Sequence, residues 1–430
     1  MTDNFVFNNK KVAFHTLGCK LNFAETSAIG KKMKDEGFVK AKAGEQADVC
    51  VVNTCSVTDI ADRKSRQAIN RLNRQHPNAI MVVTGCYAQL KPEEIAKLEG
   101  VDLVLGANEK FSVLDYLRTM DDTTGKIHRN SVKRVREFKP SCSKDDRTRY
   151  FLKVQDGCDY FCTYCTIPLA RGRSRNASVA ETVAMAEEAI RDGAREIVLT
   201  GVNIGDFGRS TGETFFDLVK ALDQIDAPVR FRISSIEPNL LSDEIIEYVA
   251  TSRRIMPHFH IPLQSGTNEV LKLMKRKYDR ELFAHKVFKI KELMPHAFIG
   301  VDVIVGVHGE TPELFEESCR FIDSLDISQL HVFTYSERAD TKMLEIEHQN
   351  TIGERKRRSD ILHQLSDKKT RAFYRSQTGL TYPVLWESRS HGEQMMGFTS
   401  NYVKVAAPMD KAKVNTLEEI TITDQNLVFE

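Results

Sequence analysis

Three cysteines stand within eight residues of one another, as Cys158-Asp-Tyr-Phe-Cys162-Thr-Tyr-Cys165. Three thiolates on one short loop have the spacing to converge on a metal centre. A structural zinc site asks for four protein ligands, commonly in two-residue-spaced pairs. A bacterial ferredoxin run would add a fourth cysteine followed by proline. Here Thr166-Ile167-Pro168 follows, and no fourth cysteine is near. Three thiolates on a four-iron cubane leave one iron without a protein ligand. That iron is open to a small chelating molecule, as the vacant position of a catalytic zinc is. A zinc knuckle is the plain alternative.

A second trio is spread along the chain: Gly18-Cys19, Thr54-Cys55 and Gly85-Cys86. Each follows an apolar run, at residues 12–17, 48–53 and 80–84. If these runs are strands of one parallel sheet, their C-terminal ends lie along one edge, where α/β proteins build their sites. Gly18 and Gly85 allow sharp turns there. Three unrelated core thiols are the alternative. Of the other cysteines, Cys50 lies inside a strand and Cys319 inside a helix, both expected in the core. Cys142 falls in a basic segment and is expected to be a free thiol.

The elements that must position these thiols follow from periodicity. Strand-like and helical runs alternate through residues 1–119, which predicts an α/β domain with a parallel sheet and helices on both faces. Residues 120–149 read as a linker; between Lys126 and Arg149 nine basic residues face three acidic ones, a local charge of +6. Residues 150–377 repeat strand and helix six times, enough for a partial β/α barrel. Its closing helix, from 351 to about 377, carries eight basic and three acidic residues between Glu354 and Arg375. Residues 378–430 hold five short alternating runs, at 382–386, 394–398, 402–406, 419–423 and 427–429. They predict a small antiparallel β-barrel.

Composition bounds the function. The 430 residues are 41% hydrophobic and 28% charged, which excludes wholesale disorder. With 61 Lys and Arg against 60 Asp and Glu the net charge is +1, so nucleic-acid contacts would rest on local patches. The linker, read either as a solvated tether or as a phosphate-contacting arm, and the closing helix, with Arg355, Arg357 and Arg358, are the candidate patches. No secretory h-region opens the chain and no long apolar run occurs, so a cytoplasmic protein with no membrane segment is expected.

The Cys-x3-Cys-x2-Cys loop after the first strand of a partial barrel resembles the radical S-adenosylmethionine (SAM) superfamily. Both trios together resemble the methylthiotransferases over nearly the whole chain. The supporting motifs include Thr16-Leu17-Gly18-Cys19-Lys20, Asn53-Thr54-Cys55-Ser56, Thr84-Gly85-Cys86-Tyr87, Ser234-Ser235-Ile236-Glu237-Pro238 and Pro262-Leu263-Gln264-Ser265-Gly266. The last region resembles the TRAM domain, an RNA-binding barrel. Leu17, Lys20 and Val57-Thr58 are similar to the MtaB-type branch rather than to the isopentenyladenosine or ribosomal-protein branches.

The resemblance implies two 4Fe–4S clusters, an auxiliary one on Cys19, Cys55 and Cys86 and a radical SAM one on Cys158, Cys162 and Cys165. It implies that the second cleaves SAM to a 5′-deoxyadenosyl radical. That radical takes the C2 hydrogen of N6-threonylcarbamoyladenosine, and the auxiliary cluster supplies a methylated sulfur. An unactivated aromatic C–H gives side-chain bases no handle, so a cofactor must bring the reactivity. The implied partners are the tRNA anticodon stem-loop, at the adenosine 3′ of the anticodon, and an electron donor such as flavodoxin or ferredoxin.

Expected SAM contacts are Tyr164, Arg171, Thr200, Gly201, Asn203, Ser235, Glu237 and Gln264. Expected cations for the threonyl carboxylate are Lys20, with Arg173 and Arg175 as alternatives. A non-catalytic iron–sulfur RNA sensor is the rival from another class. Two departures stand out. Gly306-Val307-His308-Gly309-Glu310 replaces the family's Gly-Phe-Pro-Gly-Glu, with His308 expected to be exposed. The TRAM-like region has four basic and seven acidic residues, an unusual sign for an RNA-binding surface.

Overall fold

The computed structural model describes residues 7–120, 126–143 and 148–429. The chain divides into two compact units. The first takes in residues 1–143, 156–159 and 165–175, and the second the rest. The basic segment's residues 121–125 and 144–147 lie outside the described residues.

The first unit is built on β1 (Lys11–Thr16), β2 (Val39–Lys40), β3 (Val49–Thr54), β4 (Ile80–Gly85), β5 (Leu103–Leu105) and β6 (Ile127–His128). All pair in parallel, in the order β2-β1-β3-β4-β5-β6. The strands are near-continuously apolar because both faces are covered. Along β3, Val49 and Val51 enter the core with Ile29 and Met33 of α1 (Lys20–Asp35). Cys50 and Val52 point the other way, against Ile69 and Leu72 of α2 (Asp59–Gln75). Cys50 is fully buried and its thiol is pushed up to about 11 by burial, as a core thiol should be. Part of the expected linker is therefore sheet: residues 127–128 pair with β5. Short helices α3 (Cys86–Leu90), α4 (Pro92–Ala96) and α5 (Val113–Thr119) complete the alternation, and α6 (Ile167–Arg171) packs on α3.

In the second unit β7 (Tyr150–Lys153) is followed by α7 (Val179–Arg191), β8 (Glu196–Thr200), α8 (Phe215–Asp223), β9 (Arg230–Ile233), α9 (Asp243–Thr251) and β10 (His258–Gln264). Then come α10 (Asn268–Leu273), α11 (Arg280–Leu293), β11 (Phe298–Val305), α12 (Pro312–Ser324), β12 (Gln329–Thr334) and α13 (Ile352–Ser376). β7, β8 and β9 pair in parallel, as do β10, β11 and β12. Parallel bridges Phe231–Ile255 and Ser235–His260 join the two sets. Six consecutive parallel strands form the partial barrel. Side-chain caps from Ser178, Thr214, Ser242, Asp279, Thr311 and Thr351 start six of the helices, each accepting a backbone N–H that the helix leaves unpaired.

The C-terminal sheet runs β15 (Lys404–Pro408), β14 (Gln394–Phe398), β13 (Thr381–His391), β16 (Leu417–Thr421). Only four of the five expected strands form. The run at 427–429 contributes one bridge, Leu427 to Val405, and buries Leu427 beside Trp386 and Val405.

Two sequence expectations are corrected here. Arg355 and Arg358 of α13 are buried, not free for phosphate. Arg358 pairs with Glu310 at 2.7 Å and Glu354 at 2.8 Å, and Arg355 with Glu337. Arg357 keeps 55% of its side chain exposed. A helical charge pattern cannot show that buried carboxylates wait on neighbouring elements. His308 is 1% exposed and edge-on to Tyr335, while Val307 joins the apolar cluster around Met274 and Met343.

Candidate functional site

The auxiliary trio is assembled by sheet register. Thr16 pairs with Asn53, and Thr54 with Gly85, so β1, β3 and β4 end level with one another. Cys19, Cys55 and Cys86 follow those ends directly. Cys19 is the N-cap of α1 and Cys86 the first residue of α3. Helix N-termini carry unpaired N–H groups and partial positive charge, which favour a thiolate. Helix α1 begins at Lys20, directly after Cys19.

Two glycines make room. Gly18 has φ +90, and a Cβ there would fall 2.8 Å from Cys55 Sγ. Gly85 has φ +99, and a Cβ would fall 2.3 Å from the Thr54 carbonyl oxygen. The loops are locked by buried amides: Asn22 Nδ2 donates to Leu17 O and Thr54 O at 2.8 and 3.1 Å, and Asn53 Nδ2 donates to Asn22 O. Burial, then the charge of Cys86, pushes the Cys55 thiol up to about 12. Burial also raises Cys86, against the opposing charge of Arg171. Each buried thiol senses Cys19 as well. Three thiols at the ends of neighbouring strands, with a cradle opened by Gly18 against Cys55, are a donor set that fits an iron–sulfur cluster.

Arg171, expected as a SAM contact, is held by partners of the first unit. It is 3% exposed and saturated within the first unit. Its guanidinium donates to Asn22 Oδ1 at 2.6 Å, Asp156 Oδ1 at 3.0 Å and both oxygens of Glu25 at 3.2 Å. Lys110 Nζ shares Glu25 at 2.5 Å, and Arg175 pairs with Asp156 at 3.0 Å. Arg175, an expected substrate cation, is buried, and its guanidinium also donates to the Glu137, Arg171 and Arg173 carbonyls. Of the remaining two, Lys20 is half-buried at the start of α1. Arg173 is 59% exposed and paired with Asp159.

The second cysteine loop follows the first barrel strand, β7. The Cys158 N–H donates to Gly172 O at 3.0 Å, and the Ile167 N–H reaches Cys165 Sγ at 3.4 Å. Phe161 holds the left-handed conformation at φ 52, which a bulky side chain adopts only where its surroundings impose it. Cys162 is buried, and burial raises its thiol against the opposing charge of Arg276. Arg276 Nη1 lies 3.0 Å from Cys162 Sγ and 3.4 Å from the Tyr164 hydroxyl, while its Nη2 pairs with Glu237. Arg276 carries no motif of its own in the sequence and was not expected at the site.

The barrel strand ends present buried polar groups. Asn203, beyond β8, is 3% exposed, with its amide turned toward the Tyr160 hydroxyl. Gln264 ends β10 at φ 68 with its Oε1 buried and unpartnered. Buried polar atoms are rarely left so unless something else binds them. Gln155, also unexpected, fixes the β8 turn: its Oε1 accepts the Val202 and Asn203 N–H groups at 2.9 Å each. A Cβ on Gly201 would fall 2.9 Å from that same oxygen. Glu237 follows β9, and burial raises its carboxyl against the charge of Arg276. Thr200 is buried, and Ser235 is half-buried and bridged to His260. This set fits a small polar cofactor at the functional face of the barrel.

Known proteins resemble most of the chain. Residues 11–106 match a family described as uncharacterized, UPF0004, and residues 152–322 match the radical SAM superfamily. The threonylcarbamoyladenosine tRNA methylthiotransferase MtaB of Bacillus subtilis (strain 168) is 41% identical over 405 residues, 92% of this chain and 89% of that protein. The protein of that name from Aquifex aeolicus (strain VF5) is 38% identical over 92% of this chain and 96% of its own. A tRNA-2-methylthio-N6-dimethylallyladenosine synthase of Desulfitobacterium hafniense (strain Y51) is 30% identical over 97% and 96%. Among solved structures, the radical SAM methyltransferase TsrM of Kitasatospora setae aligns with a TM-score of 0.56 at 16% identity, covering 76% of this chain and 75% of that one. That likeness concerns the fold. Among the described residues no helix is long and apolar enough to cross a membrane.

Proposed function

The chain belongs to the radical SAM methylthiotransferases of the MtaB type, and from that membership we propose that it adds a methylthio group to C2 of N6-threonylcarbamoyladenosine in tRNA, at the adenosine 3′ of the anticodon. One observation carries the reading: Cys19, Cys55 and Cys86 end neighbouring strands of a sheet in a chain that also holds the Cys158 loop. SAM cleavage alone needs one trio, and insertion of sulfur gives the other its purpose.

Cys158, Cys162 and Cys165 are the proposed ligands of the SAM-cleaving cluster, and Cys19, Cys55 and Cys86 those of the auxiliary one. When bound, these clusters supply the electron that cleaves SAM and the sulfur group that is transferred. The protein's own work is to hold, orient and exclude water. Gln155 fixes the turn that presents Asn203, and Asn203, Gln264, Ser235 and Glu237 offer donors and acceptors to the methionyl and ribose groups. Tyr164, packed against Met274 and Tyr335, offers its ring to the adenine. Arg276 neutralises Glu237 and steadies Cys162 Sγ. Arg171 places positive charge beside Cys86 and Cys19. Lys20 is the cation for the threonyl carboxylate. Flavodoxin or ferredoxin is the class of electron donor such a site would use.

Anaerobic turnover on anticodon stem-loops tests this reading. Product should form on the threonylcarbamoyl substrate and not on the isopentenyl one, as read by nucleoside mass spectrometry. Equal product on the isopentenyl substrate would move the enzyme to the sister branch. RNA binding without 5′-deoxyadenosine would favour the sensor. Lys20→Ala should lower kcat/KM by roughly tenfold to a hundredfold, the worth of one hydrogen bond to a charged group, with iron content unchanged.

A further inference from the structure

Three adjacent barrel strands each send a metal-ligating side chain to one point: His260 from β10, Asp302 from β11 and His331 from β12. Asp302 stands opposite His331 in the β11–β12 pairing, and His260 opposite Gly300, one same-face position away from Asp302. His260 Nε2 lies 2.6 Å from Asp302 Oδ1. His331 Nδ1 lies 3.2 Å from that same oxygen and 3.2 Å from His260 Nε2.

One carboxylate oxygen can accept from both rings, but if both facing nitrogens carry protons, those protons crowd one another. If only one does, its single N–H must be shared between Asp302 Oδ1 and the other ring's lone pair, leaving two lone pairs around one proton. One cation inside the triangle satisfies all three lone pairs together. Ligand atoms at about 2.0–2.2 Å from a zinc-sized ion, at tetrahedral or octahedral angles, lie roughly 2.8–3.5 Å apart; the two 3.2 Å edges match this, and the 2.6 Å His260–Asp302 edge would open slightly on binding. Two histidines and one carboxylate on one face of an ion are also a familiar donor set for divalent transition metals. The side chains of His260 and Asp302 are 19% and 17% exposed, and that of His331 40%, so the open coordination positions are reachable.

We propose that His260, Asp302 and His331 bind one divalent transition-metal ion of the zinc, cobalt or iron(II) class, using none of the six cluster cysteines.

Cluster-loaded protein, dialysed anaerobically against buffered zinc, tests the proposal, with zinc and iron counted per chain in one sample. The wild type should hold one zinc beyond its iron. His331→Ala should lose that zinc at unchanged iron, and so should the milder His331→Gln, which serves if the alanine variant fails to keep its clusters. Crystals of the zinc-soaked wild type should show anomalous scattering at the triad at the zinc edge. Equal zinc in wild type and both variants, no zinc in iron-replete wild type, or an anomalous peak elsewhere with none at the triad, would each overturn it and leave three hydrogen-bonded side chains.

Discussion

Cys158→Ala should reduce 5′-deoxyadenosine formation to background and with it all methylthiolation. Cys55→Ala should still cleave SAM and yet yield no methylthiolated nucleoside. The contrast follows from the two trios being separate ligand sets. Cys55 lies among elements of the first unit, against Gly18, and its loss leaves the barrel strand ends intact. Anaerobic assays of 5′-deoxyadenosine and of nucleoside product, run on one preparation, read both halves. A pH effect accompanies it. Burial holds Cys55 near 12 and raises Cys86, so both are protonated at neutral pH before iron arrives. Metal ligation requires the thiolate and releases those protons. Loading of this trio in the Cys158→Ala protein should therefore quicken as pH rises and slow as it falls.

Glu196→Gln should destabilise the second unit by about 3–5 kcal/mol, the usual cost of removing one partner from a buried ion pair. Glu196 is fully buried on β8, and two arginines of β9 close on it. Arg230 Nε donates to Oε2 at 2.6 Å, and Arg232 donates through Nη2 at 2.9 Å and Nε at 3.2 Å. The same guanidiniums donate onward to Pro383, Phe398, Thr399 and Ser400 carbonyls at 2.8–3.3 Å. One carboxylate thus organises the stitch between the barrel and the C-terminal sheet. Burial alone would raise Glu196, but Arg232 and Arg230 outweigh it and hold the carboxyl well below its usual range. Burial and the neighbouring Arg232 lower Arg230 to about 10, which marks how much it needs its counter-ion. A depressed carboxyl contributes stability that is complete above its unfolded pKa, about 4.3, and lost as pH falls through the folded value. The wild type should lose stability on that acid limb, and Glu196→Gln should lose less of it from a lower plateau. Urea unfolding against pH reads both; an unchanged midpoint at neutral pH would contradict this role.

The parts of the molecule that were legible in sequence are those fixed by local pattern. Short continuous apolar runs, alternating with helical runs of period 3.6, placed the strands before Cys19, Cys55 and Cys86, and parallel topology then required those residues to share an edge. What pattern could not show is which polar groups meet across the chain. Arg171 reads as a cation after a cysteine loop, yet its partners Asn22 and Glu25 lie 149 and 146 residues away. Arg355 and Arg358 read as a basic helix face until Glu337 and Glu310 claim them. His308 reads as exposed because it replaces a turn residue, and Tyr335 covers it. Gln155 and Arg276 belong to no motif, and only the turn at Val202 and the thiol of Cys162 give them a task. The 427–429 run alternates like a strand, but it forms the single bridge Leu427–Val405 rather than a ladder.

The direct test of two separate clusters is iron and sulfide per chain after anaerobic reconstitution, in the wild type and in Cys19→Ala and Cys158→Ala. The wild type should hold about eight of each, and each variant about four, since each four-iron centre is held by its own thiolates. A wild type with only four, or a single substitution that empties both sites, would contradict the assignment of six thiols to two independent trios.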